Sequence, residues 1–117
     1  MKTLRKGIKY DQNKDQWGLL PLKPLRLVVK ALTFGANKYA PDNWKKIKTT
    51  EQGTPSQRNY DAAQRHLSEW KLFYDKEGGE WADPESKLPH LAHAICDLLF
   101  LFWHELKRLA GINESKP

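Results

Sequence analysis

The chain predicts an all-α helical bundle, and three observations carry that expectation. Apolar residues recur at spacings of three and four over residues 22–39, 56–75 and 88–110. Proline and glycine punctuate the chain between these stretches, at Pro41, Gly53, Pro55, Gly78 and Gly79. No internal repeat is evident, so three main helices must share one core.

Residues 1–20 hold no sustained period, yet Trp17, Leu19 and Leu20 want burial, so an ordered N-terminal arm laid on the core is expected. Pro21 and Pro24 suit the start of a helix, where a missing N–H does no harm. In the first helix Leu22, Leu25, Val28, Val29, Leu32, Ala36 and Tyr39 share a face, and Leu27, Ala31 and Phe34 form a second strip. Pro41 ends it. Residues 40–56 read as a long loop, ordered at Asn43 and Trp44. The second helix sets Tyr60, Ala63, Leu67, Trp70 and Tyr74 on its apolar face, with His66 inside that arc and Glu69 at its edge. The third carries the widest apolar arc, from Leu91 to Leu109, with Gly111 as the expected stop and a frayed tail after it. Opposite runs a narrow polar stripe of His90, His93, Asp97, His104 and Arg108. So wide an arc implies contact with several helices or a second subunit, and a homo-oligomer would complete the bundle.

A chain of 117 residues is expected to form one domain, residues 1–117, with a single modest core. No apolar run reaches the ~20 residues of a membrane span, and the first residues lack the apolar middle of a secretory signal. One cysteine makes no internal disulfide, so a reducing cytoplasm is expected. The net charge of +6 favours anionic partners. Its positive charges are dispersed, without a dense basic tract or a DNA-reading motif, so nucleotide phosphate is favoured over nucleic acid.

Several residues are candidates for chemistry. Asp97, set between Ile95-Cys96 and Leu98-Leu99, is costly to bury unless paired or metal-bound; it reads as a cation ligand or as an ordinary stripe position. His90 and His93 share a helix face and suit a transition metal, although HxxH spacing alone is weak evidence. Cys96 faces away from them. His66, Glu69 and Asp97 would form a polar site between the second and third helices if they converged. Lys38 and Arg65 are phosphate candidates, or solvated surface charges; Tyr39, Trp44 and Trp17 could stack on a base or pack in the core or a loop, packing being the favoured reading for Trp17. Neither GxxxxGK[ST] nor GxGxxG is present, which disfavours P-loop and Rossmann enzymes.

Four segments together resemble a known family. They are Lys9-Tyr10-Asp11 with Lys14 and Leu19-Leu20-Pro21; Leu32-Thr33-Phe34-Gly35-Ala36 through Lys38-Tyr39 to Asn43-Trp44; Ala62-Ala63 with Arg65-His66-Leu67 and Trp70; and Asp83 to Glu85 followed by Leu88 to Ala94 and Cys96 to Leu101. The chain resembles the phage and bacterial dATP/dGTP diphosphohydrolases, near the MazG-like all-α nucleotide pyrophosphohydrolases. The resemblance implies hydrolysis of a purine deoxynucleoside triphosphate to monophosphate and pyrophosphate, assisted by Mg²⁺. The MazG-like pattern holds its metals with an ExxE and an ExxD pair. Here His66-Leu67-Ser68-Glu69 and Ala94-Ile95-Cys96-Asp97 stand in those places, leaving Glu69 and Asp97 as the implied metal ligands. His66 and His93 are then the catalytic candidates, and Lys38, Asn43, Trp44, Arg65 and His90 the substrate-binding ones. A nucleotide kinase without a P-loop and a non-catalytic nucleotide- or DNA-binding accessory protein are the alternatives.

Overall fold

The computed structural model describes residues 7–114. Its helices are α1 (Leu22–Lys38), α2 (Pro55–Tyr74) and α3 (His90–Glu114), with short 3-10 turns at Trp17–Leu19 and Asn43–Lys46. No strand occurs among the described residues, only isolated bridges at Thr50–Gly53 and Ala82–Pro89. The all-α expectation stands.

Local chemistry explains each boundary. Pro21 precedes α1 in an extended conformation, and the helix ends at Lys38, ahead of Pro41. At α2, Thr54 accepts a hydrogen bond from the Gln57 amide while the Gln57 side chain accepts one from the Thr54 amide. With Pro55 in the first turn, this capping box starts α2 one residue before the expected position. In contrast to its expected stop at Gly111, α3 continues to Glu114. A glycine inside a helix costs only about 1 kcal/mol, and Gly111 is not among the positive-φ residues, so its backbone does not turn left-handed to end the helix. The expected frayed tail is therefore helical through Glu114, and residues 115–117 lie outside the described residues.

α3 is the central element, packed by α2 along one side, by α1 along another and by the Asn43–Lys46 turn. Val28 and Ala31 of α1 meet Cys96 of α3 in the innermost cluster, with Leu25, Leu32, Leu88 and Phe100 around it. Burial raises the Cys96 thiol to about 12, so it is an apolar core group. Because α1 packs chiefly on α3, only part of its apolar surface is covered: Val28 is 1% exposed, whereas Leu22, Val29 and Tyr39 stay open. α2 and α3 run antiparallel, with Ser56 bonded to Glu105 near one end and His66 to His90 near the other.

The expected burial of the arm does not occur. Trp17 and Leu19 are each 78% exposed. Burial needs a partner surface, and the short turn they form contributes no buried residue to the core. The radius of gyration, 20.0 Å, exceeds the ~13 Å of a compact domain of this length.

Candidate functional site

At the end of the α2–α3 contact three histidines converge with a carboxylate. Ligand-capable atoms of His66, Asp83 and His90 all lie within 4.8 Å of one another. The Nδ1 atoms of His66 and His90 are 2.8 Å apart, so one imidazole donates and the other accepts. His93, one turn along α3, stacks on His66 with ring centroids 4.9 Å apart. Its Nε2 meets the Ser86 hydroxyl at 2.6 Å, and its ring packs edge-on with Phe34 of α1. His90 is only 6% exposed; the other three are half-buried.

The connection between α2 and α3 delivers the carboxylate. Gly79 lets it pass close to the end of α2, since a Cβ there would overlap the Glu69 carbonyl and the Phe73 amide. The Glu80 N–H then donates to the Glu69 carboxylate at 3.0 Å. Further on, the Asp83 carboxylate accepts from the Glu85 and Ser86 amides at 3.0 and 2.8 Å, an Asx-type turn. Left-handed Lys87 closes the loop, with its N–H on the Asp83 carbonyl. The His90 N–H donates to the Trp81 carbonyl, which seats the first turn of α3.

Electrostatics follow from this burial. Desolvation, reinforced by the neighbouring His93 and His90, lowers His66 to about 4. Desolvation likewise lowers His93. For Asp83, burial works to raise the pKa, but the hydrogen bonds from Ser86 and Glu85 and the charge of His93 leave it below the usual carboxylate value. At neutral pH His66 and His93 are therefore neutral imidazoles, and Asp83 is ionised.

A cavity of about 550 Å³ is lined by Tyr39, Asn43, Trp44, Asn59, Asp97 and Phe100, among others. Trp44 stacks on Phe100 at 4.3 Å, meets Trp103 edge-on, and His104 donates to its carbonyl at 3.0 Å. Asp97 faces this space with a buried Oδ2 that has no hydrogen-bond partner among the described residues. Burial raises Asp97 to about 7, partly opposed by the charge of Arg65. Arg65 also acts on His66, so one exposed guanidinium on α2 influences both the histidines and the cavity.

Of the residues singled out from sequence, His66, His90 and His93 converge, Asn43 and Trp44 line the cavity with Asp97, and Arg65 acts on both places. Lys38 is ion-paired with Glu85 at 2.6 Å, beside the turn that carries Asp83. Trp17 lies elsewhere, outside that cavity's lining. Glu69 and Asp97, the expected metal pair, do not converge. With His66 opposite His90 in antiparallel helices, Asp97 and Glu69 lie on opposite sides of that contact, roughly 15 Å apart along the axis. The nitrogen-rich cluster does not suit Mg²⁺ either, which favours all-oxygen coordination. Asp83 and Ser86 were not singled out as site residues. The available signal was a Pro-bearing acidic turn placed directly before the HxxH helix.

Residues 5–113 match the family model described as "dATP/dGTP diphosphohydrolase, N-terminal". A protein of Salmonella phage PMBT28 described as a dATP/dGTP diphosphohydrolase is 35% identical over 97 residues, covering 83% of this chain. The chain spans 29% of that relative's length. No solved structure matches.

Proposed function

The chain belongs to the dATP/dGTP diphosphohydrolase N-terminal family, and from that membership we propose that it hydrolyses purine deoxynucleoside triphosphates to the monophosphate and pyrophosphate. The observation that carries the reading is a histidine–carboxylate cluster, buried at His90 and half-buried elsewhere, one helical turn from a cavity of about 550 Å³ that has room for a small-molecule ligand, His93 and Asp97 being adjacent on α3.

In this reading the base enters the cavity beside Trp44 and Asn43. Asp97, whose pKa is raised to about 7, is protonated in part and can donate to a purine acceptor. The phosphates extend towards His93, and Lys38 exchanges Glu85 for a phosphate oxygen while Arg65 adds a forked charge. Magnesium, where the reaction uses it, would come with the triphosphate rather than be held by the nitrogen-rich cluster, and would supply charge neutralisation. Water attacks the α-phosphorus, His93 takes its proton, and the bond to the bridging oxygen breaks to release pyrophosphate. Ser86 and the stacked His66 hold the His93 ring in place.

A second reading has one observation in its favour. The matched family is described as N-terminal, and the chain spans 29% of the phage relative. A module that binds the triphosphate while another part of a longer protein reacts would use the same cavity. Product separation after incubation with dATP or dGTP distinguishes them: monophosphate and pyrophosphate support hydrolysis, and saturable binding without product supports the binding module.

A homo-oligomer is part of the proposal. Ile95, Phe102 and Leu109 recur every seven residues on α3, with Leu98, Leu99 and Leu106 beside them, and all are exposed. A seven-residue apolar seam is self-complementary across a two-fold axis, which favours a second copy as its partner. No described helix is long and apolar enough to cross a membrane.

A further inference from the structure

We propose that His66, Asp83 and His90 bind one transition-metal ion of the zinc, cobalt or manganese class, separate from any magnesium that travels with a nucleotide. The three residues come from three elements, α2, the α2–α3 connection and α3, and still bring one ligand atom each within 4.8 Å of the other two. Two imidazole nitrogens and one carboxylate oxygen suit a borderline metal. Adjacent ligands on a tetrahedral ion stand about 3.3 Å apart when each bond is about 2.0–2.1 Å. The His66 and His90 Nδ1 atoms, at 2.8 Å, need to part by only about half an ångström to match this.

The surroundings are those of a held ligand set. Two backbone amides fix the Asp83 carboxylate, His93 stacks on His66, and the Ser86 hydroxyl anchors both His93 and the Leu88 amide. A proton shared between the two imidazoles would explain their contact. It would not explain a carboxylate held within ligand distance of both. Three protein ligands leave a coordination position open for water or a phosphate oxygen, as hydrolytic metal centres require. The inference deepens the proposed hydrolysis by supplying an ion to its site, yet it rests on ligand geometry and is tested by binding alone.

The test is titration of chelator-stripped, tag-free protein with Co²⁺, followed by visible d–d absorption, with Zn²⁺ and Mg²⁺ as competitors. The expected result is one Co²⁺ per chain, displaced by Zn²⁺ and retained in a large excess of Mg²⁺. His66→Gln, Asp83→Asn and His90→Gln should each weaken Co²⁺ binding by about 100-fold or more while circular dichroism shows the helices intact. His104→Gln should bind as the unaltered chain does. Absence of stoichiometric Co²⁺ binding, or binding that Asp83→Asn and His90→Gln leave unchanged, overturns the site. Metal binding without dGTP turnover contradicts only the hydrolytic reading, and turnover without metal binding contradicts only this one.

Discussion

The Nδ1 atoms of His66 and His90 face each other at 2.8 Å across the α2–α3 contact, and His90 is buried. Removing either imbalances a buried polar pair. His90→Ala should leave His66 Nδ1 without its partner and lower stability by about 1–3 kcal/mol, read as a reduced midpoint in urea. A change within experimental error would mean that the pair contributes nothing to the fold.

Asp97 makes stability depend on pH. Its folded-state pKa, about 7, lies above the ordinary aspartate value of 3.8, because burial disfavours the charged form. The stabilisation is complete below the unfolded value and is lost as pH rises from about 4 through 7. Arg65 acts on Asp97 from α2, Asp42 lines the same cavity, and Cys96, adjacent on α3, is raised in turn by Asp97. Asp97→Asn should remove this slope and be the more stable form at pH 8, on the order of 2–4 kcal/mol. Parallel stability curves for the two proteins from pH 4 to 8 would contradict the raised value.

Lys38 and Glu85 form an exposed ion pair, which contributes little to the fold. Lys38→Ala should therefore melt close to the unaltered protein and raise KM for dGTP by about tenfold or more, the loss of one phosphate contact. An unchanged KM would remove Lys38 from the substrate path.

The seam on α3 predicts a dimer by light scattering. Phe102, 61% exposed, is the position to alter. Phe102→Glu should give a monomer with α-helical circular dichroism. A monomeric unaltered protein would leave the seam without a second copy.

The helices were legible because helical periodicity is local. α1 ends within one residue of its expected limit, and Pro41 explains why. The start of α2 was also local, in the Thr54 and Gln57 pair that caps it. Burial was less legible, because it depends on a partner: Trp17 and Leu19 are apolar yet exposed. The site was half legible. His66, His90 and His93 were identifiable by residue type, but their meeting depends on the register of two antiparallel helices, which the connection between them sets. That same register separates Glu69 from Asp97, and an Asx turn brings in Asp83 from outside any helix.

The most direct test of the central claim is a reaction of the chain with dGTP in ¹⁸O-labelled water, with products separated and weighed by mass spectrometry. Attack at the α-phosphorus predicts equal amounts of dGMP and pyrophosphate, with the label in dGMP, and loss of both products in His93→Gln. Unreacted dGTP, release of dGDP with inorganic phosphate, or label in the pyrophosphate would contradict it.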